Sequence, residues 1–129
     1  MKLFAIPTLS LILTGIVTAS PVIFKRAISD VPAGAQCEKD NTAFNDFQIE
    51  DAAQRAVDNR NGPSPGGYPK PFRNDEEFQF ANCPDGELLE FPILSSGQVY
   101  GGGSPEAFRV IYQDTDDGNG KYCGLLYHP

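Results

Sequence analysis

Apolar side chains at Ile49, Ala52, Ala53, Ala56 and Val57 recur at i, i+3, i+4, i+7 and i+8. That is the period of a helix with one covered face. Asn45 with Gln48 three residues on fits a capping box, and Asp46, Glu50 and Asp51 suit the positive end of the helix dipole. Asn61-Gly62 and Pro63 stop the pattern. The stripe is mostly alanine, so the helix must lie close to whatever covers it. Downstream the period changes. Glu87–Leu94, Phe108–Gln113 and Lys121–His128 are rich in branched and aromatic residues and read as strands. Val99-Tyr100 reads as a short strand piece, Asp114–Gly120 as an acidic turn joining the last two strands, and Gly62–Gly67 as a turn-rich loop. Residues 27–44 show no period and carry Pro32 and Gly34, so they are expected to form an extended or irregular lead-in. One helix followed by strands with short connections predicts an α+β fold with an antiparallel sheet, in one domain.

The N-terminal pattern is different again. Lys2 precedes an uncharged, largely apolar run over residues 3–18, and Ala19-Ser20 gives a small-residue exit. This is a signal-peptide layout for residues 1–20 and predicts secretion. Pro7 and Gly15 interrupt a run already shorter than the roughly 20 residues of a membrane span, so no membrane association is expected after processing. Lys25-Arg26 marks a dibasic end for a short pro-segment, residues 21–26, with residues 27–129 as the remaining domain.

Charge then narrows the function. The 129 residues hold 10 Lys+Arg and 17 Asp+Glu, a formal net charge of −7. Cleavage after Arg26 would remove three basic residues and no acidic one, taking the charge to −10. A protein that grips polyanions along a broad basic face is excluded, because that mode needs clustered Lys and Arg. The three cysteines, Cys37, Cys83 and Cys123, permit three pairings, each leaving one thiol over.

Few residues carry candidate chemistry. His128 is the single histidine and ends the last predicted strand. Glu90 lies inside an apolar strand. Alternation puts Leu88 and Glu90 on one face and Leu89 and Phe91 on the other. A carboxylate on a covered face is costly unless paired or functional. Arg109 opens the next strand and could pair with it. The two form either a structural ion pair or part of a phosphate site with a carboxylate base, an arginine and an imidazole acid. Gly101–Pro105 lacks the Lys-Ser/Thr ending of a phosphate-binding loop. No His/Cys grouping has metal-ligand spacing, and the acidic turn lacks the twelfth-position Glu of a calcium loop. No metal or cofactor is expected.

Three segments carry a resemblance: Tyr68–Phe80 (YPKPFRNDEEFQF), Leu89–Pro105 (LEFPILSSGQVYGGGSP) and Arg109–His128 (RVIYQDTDDGNGKYCGLLYH). With the helix preceded by Cys37, they resemble the fungal guanyl-specific ribonucleases and their ribotoxin relatives, in order, over nearly all of residues 37–128. The resemblance implies one helix packed on a twisted antiparallel sheet. It also implies a monomeric enzyme that cuts single-stranded RNA through a 2′,3′-cyclic phosphate. Glu90 resembles the family's general base and His128 its general acid. Arg109 and Tyr68 resemble the residues on the phosphate. Phe72, Arg73, Asn74 and Glu76 fall in the guanine-binding loop, where an aromatic ring stacks on the base and a carboxylate accepts its N–H protons. The family pairing corresponds to a Cys83–Cys123 disulfide.

Two departures belong to the same resemblance. Lys70 stands where the family has a histidine; it keeps a cation near Glu90 and the phosphate but implies reduced acid–base help. After His128 the family continues with a turn, another aromatic and a cysteine that pairs with the one matched by Cys37. Cys37 is therefore expected to be free, and His128 to sit near a frayed chain end. The rival to an active enzyme is a catalytically impaired, ribonuclease-like secreted effector or RNA-binding protein.

Overall fold

The alanine stripe becomes α1, Asp46–Asn59, with Ile49, Ala52, Ala53, Ala56 and Val57 all buried. The structure is a computed structural model, and it describes residues 28–36, 42–60, 62, 64–115 and 117–128. The capping box forms as expected: Asn45 Oδ1 accepts from the Gln48 amide and Gln48 Oε1 from the Asn45 amide, both at 2.9 Å. The helix crosses one face of a five-stranded sheet built from β1 (Ile28–Ser29), β4 (Lys70–Pro71), β5 (Leu89–Pro92), β6 (Phe108–Asp114) and β7 (Gly120–Tyr127). The spatial order is β1-β7-β6-β5-β4. A separate hairpin pairs β2 (Gly34–Gln36) with β3 (Ala43–Asn45), which leads directly into the helix.

Each face of the sheet has its own apolar cluster. Phe91, Val110 and Tyr112 face α1 and join the helix residues in the main core. Fully burying a side chain of this size contributes about 1.5–3 kcal/mol. The short alanines allow close approach, and Gly120 shows how close: a Cβ there would stand 2.7 Å from Val57 Cγ2. On the other face Ile111 packs with Cys83 and Cys123, and Phe72, Phe80, Leu88 and Leu126 lean on them. Leu88 and Leu89 therefore divide between the faces as alternation predicts. The β6–β7 register runs Ile111↔Gly124 and then Tyr112↔Tyr122, so Cys123 has no residue opposite. This bulge leaves Tyr122 on the helix side and Cys123 on the other, where it forms the disulfide with Cys83 across a Cα separation of 5.7 Å. Gly124 leaves room for Phe80, whose ring a Cβ would meet at 2.7 Å.

The α+β class stands, with four differences of detail. The lead-in is not irregular throughout: it supplies β1, β2 and β3. The β1·β7 pair is parallel, so the sheet is mixed rather than wholly antiparallel. Lys70–Pro71 forms a two-residue strand against Leu89-Glu90. Val99-Tyr100 is not a strand; Tyr100 is core, with its ring edge-on to Phe91 and its hydroxyl donating to the Gly103 carbonyl at 2.9 Å. The signal segment 1–20, the pro-segment 21–26 and Cys37 lie outside the described residues.

Candidate active site

The face of the sheet away from α1 carries Glu90 between two neighbouring strands. In the β4·β5 pair Lys70 lies directly opposite Glu90, and in β5·β6 Glu90 lies opposite Ile111 with Arg109 two residues along on the same face. Directly opposed and diagonal side chains on one face are within reach of each other. Glu90 Oε1 and Arg109 Nε stand 3.3 Å apart, with the two side chains 14% and 5% exposed. The Nε–H makes no aligned hydrogen bond, so the contact is an ion pair held by charge and proximity. The rest of the guanidinium is pinned by backbone. Nη1 donates to the Glu106 and Phe108 carbonyls at 3.0 Å, and Nη2 donates to the Tyr68 hydroxyl at 3.2 Å. Glu106 adopts φ 57°, a left-handed conformation costing of order 1 kcal/mol for a residue with a Cβ.

Tyr68 joins the two cations. Its ring centroid lies 4.7 Å from Lys70 Nζ and 5.3 Å from Arg109 Cζ, both within cation–π range. Tyr100 supports it edge-on at 5.8 Å. A cis peptide bond joins Tyr68 to Pro69, immediately before β4 delivers Lys70. His128 extends the β6·β7 ladder one residue past Tyr127↔Phe108, its amide donating to the Ala107 carbonyl. The expected frayed position is thus tied into the sheet, with an exposed side chain.

Phe72–Glu76 forms the wall beside this cluster. The Phe72 amide donates to the Leu88 carbonyl at 2.8 Å, and its ring meets Phe80 edge-on at 6.3 Å. Asn74, at φ 55°, closes the loop on itself. Its Oδ1 accepts from the Phe78 amide at 2.8 Å and its Nδ2 donates to the Phe78 carbonyl at 3.0 Å. Arg73 pairs with Asp75 at 3.5 Å, both well exposed, and such surface pairs are weak. Glu76 is exposed on the rim. A cleft of about 400 Å³ is lined by Tyr68, Lys70, Phe72–Glu76, Glu90 and His128. Arg109 reaches it through its contacts with Glu90 and Tyr68. Among the described residues no group of three His, Cys, Asp or Glu side chains is placed to hold a metal ion.

The sequence comparisons bear on what the cleft belongs to. The ribonuclease family model matches residues 31–129. The chain belongs to the ribonuclease family. Guanyl-specific ribonuclease T1 of Aspergillus oryzae is 32% identical to it over 123 residues, which cover 94% of this chain and 85% of that protein. Guanyl-specific ribonuclease U1 of Ustilago sphaerogena is 41% identical over 76 residues, 57% of this chain and 70% of the relative. The alignment with guanyl-specific ribonuclease C2 of Aspergillus clavatus is 46% identical over 61 residues and spans 42% of that protein.

Of the residues singled out from the sequence, Tyr68, Lys70, Phe72, Arg73, Asn74, Glu76, Glu90 and His128 line one cleft, Arg109 touches it through Glu90 and Tyr68, and Cys83 and Cys123 lie outside it. Several supporting groups give no such sequence signal. The Glu106 and Phe108 carbonyls that fix Arg109 are backbone atoms, which carry no residue signature. Tyr100 reads as a strand residue until its contact with Tyr68 is seen. The chain between the Phe72–Glu76 loop and β5 is also anchored. Asn82 Nδ2 donates to the Tyr122 carbonyl, Gln113 Nε2 donates to the Asp85 carbonyl at 2.6 Å, and the Cys83–Cys123 disulfide lies between them.

Proposed function

We propose that this chain is a secreted, guanosine-preferring endoribonuclease acting as a monomer on single-stranded RNA by transphosphorylation. The observation that carries the reading is the Glu90 carboxylate, largely buried, set against the Arg109 guanidinium and opposite Lys70, in a cleft shared with His128. Glu90 takes the proton of the ribose 2′-OH. The 2′-oxygen then attacks phosphorus, the bond from phosphorus to the 5′-oxygen breaks, and His128 donates its proton to that leaving oxygen. The products are a 2′,3′-cyclic phosphate and a free 5′-OH. Arg109, Tyr68 and Lys70 supply fixed charge and hydrogen bonding where negative charge gathers on the phosphoryl oxygens, in a partly desolvated site where such groups act most strongly. The carbonyls that hold Arg109 keep it in place before substrate arrives, so little reorganisation is needed.

Guanine is read on the Phe72–Glu76 wall. Phe72 offers a ring for stacking, Glu76 a carboxylate for the N1–H and N2–H protons, and the backbone of the Arg73-Asn74 turn, fixed by the bonds between Asn74 and Phe78, offers groups for the base edge. Residues 1–20 fit an export signal, and the disulfide fits an oxidising compartment.

A second reading, an RNA-binding protein with impaired turnover, rests on Lys70. The family resemblance puts a histidine there, and an amine on a flexible stem does not reproduce an imidazole as the partner of Glu90. One experiment decides between them. GpC, ApC, CpC and UpC are incubated with the protein in EDTA, and products are followed by phosphorus NMR. The proposal expects guanosine 2′,3′-cyclic phosphate to appear first and GpC to be cut fastest. Binding of GpC with no cyclic phosphate at high enzyme concentration favours the second reading, and equal cleavage of all four removes the guanosine preference.

A further inference from the structure

Arg109 lies on β6 and His128 just past β7, yet one turn holds both. Arg109 Nη1 donates to three carbonyls of residues 105–108: those of Glu106 and Phe108 at 3.0 Å and that of Pro105 at 3.4 Å. The remaining carbonyl of the turn, that of Ala107, accepts from the His128 amide. The Phe108 carbonyl also accepts from the Ile93 amide at 3.2 Å, which ties the turn to the end of the strand that carries Glu90. At the centre stands Glu106, with φ 57°. A left-handed residue bends the chain sharply, and a side chain with a Cβ adopts that conformation only at a cost in energy. The Glu106 side chain is exposed and does not line the cleft. Its Oε1 accepts from Ser95 Oγ at 3.4 Å, and its amide donates to Ser104 Oγ at 3.4 Å. Strain of this kind persists where the surrounding contacts over-determine the backbone.

We propose that Glu106 is a positioning residue: its left-handed backbone sets, through this one turn, where the Arg109 guanidinium and the chain bearing the His128 imidazole stand relative to each other. The inference rests on the function proposed above, in which Arg109 meets the charge on the phosphoryl oxygens and His128 protonates the 5′-oxygen leaving the same phosphorus. Both groups act on one centre in one step, so their mutual placement matters more than the position of either alone. A misplacement of about 1 Å costs on the order of 100-fold in rate. Glu106 touches no reacting atom in this account. What it supplies is a conformation, and the reaction feels it through the carbonyls on either side of it.

The test measures kcat and KM for GpC and for guanosine 3′-(p-nitrophenyl phosphate) in wild type, Glu106→Val and Glu106→Gly. Nitrophenolate leaves without a proton, so its ester calls on Arg109 but not on His128. A branched Cβ resists the left-handed conformation. Glu106→Val should therefore lower kcat for GpC by about 10- to 100-fold, with KM nearly unchanged, the pattern of an interaction made only in the transition state. The loss on the nitrophenyl ester should be distinctly smaller, because the share owed to His128 is absent. Glu106→Gly enters the left-handed conformation freely and should rescue cleavage of both substrates. The ratio of the two rates within one variant does not depend on how much of it is folded, so partial unfolding leaves the comparison valid. Equal losses on the two substrates, or full GpC cleavage by Glu106→Val, would overturn the positioning role and leave the catalytic reading intact. A Glu106→Gly enzyme that is slow on GpC would overturn it whether or not Glu106→Val folds. A wild type that cuts neither substrate would overturn the reaction on which the inference rests.

Discussion

Glu90 is the residue on which the site turns. A carboxylate in the interior of a strand is tolerated because charge surrounds it: Arg109 at 3.3 Å and Lys70 directly across the ladder. Breaking a largely buried pair by removing one partner leaves an uncompensated charge and is strongly destabilising, so Arg109 serves the fold as well as the proposed chemistry. Lys70 sits over the Tyr68 ring, a second cation on the same wall as Arg109. Tyr112 shows the opposite arrangement. Its hydroxyl is buried with no hydrogen-bond partner among the described residues. Burial, reinforced by the nearby Asp114 charge and only partly offset by Arg60, pushes its ionisation well above the ordinary tyrosine range. The folded state thus holds this proton more tightly than the unfolded state does. The associated stability is complete below about pH 10, the ordinary tyrosine pKa, and is lost as pH rises beyond it. Tyr112→Phe removes the buried unpaired hydroxyl. It should unfold at neutral pH within about 1 kcal/mol of wild type and show a shallower loss of stability between pH 10 and 11.5 in urea titrations. Identical alkaline slopes for the two proteins would contradict the assignment.

At the scale of elements, α1 was legible in full because its signals are local. The alanine stripe, the Asn45–Gln48 box and the stop after Asn59 all lie within one stretch of chain. The cores of β5, β6 and β7 were legible for the same reason, and Glu90 stood out because it breaks an apolar run. The missed elements depend on distant partners. β4 has two residues, and only its pairing with Leu89-Glu90 makes it a strand. β1 is set by the parallel edge of β7, more than 90 residues away in sequence. Tyr100 has strand chemistry but is recruited to support Phe91 and Tyr68. In the site, residue types were readable, whereas the carbonyl cradle of Arg109 and the self-closing role of Asn74 exist only once the loops are folded. The alanine stripe also makes a prediction at this scale. Close approach of α1 to β7 depends on Gly120, where an added methyl would meet Val57 at 2.7 Å and Ile28 at 3.1 Å. Gly120→Ala should lower stability by about 1–3 kcal/mol, the usual range for overpacking, measured by urea denaturation. An unchanged midpoint would show that the helix rides higher on the sheet than these distances require.

For the molecule as a whole, the acidic charge and the RNA substrate are reconciled by scale. A net charge of −7 rules out sequence-blind binding over a broad surface, yet it leaves room for Lys70, Arg73, Arg109 and His128 to meet one or two phosphates along a single wall of the sheet. On the proposed function, such a protein holds RNA loosely and acts where the bond is cut. The fold suits that reading: α1 stabilises one face of the sheet, the disulfide and Asn82 anchor the chain before β5 to β7, and the other face carries a carboxylate, an arginine and an imidazole from neighbouring strands. In the proposed reaction Glu90 is the base in this alignment. The most direct measurement is kcat/KM for GpC with Glu90→Gln beside wild type, in EDTA, with folding of both verified by thermal melting. The amide keeps the shape of the side chain and cannot take the proton, so the rate should fall by about 10²–10⁴-fold. A variant that folds and cleaves GpC at the wild-type rate would contradict that role for Glu90.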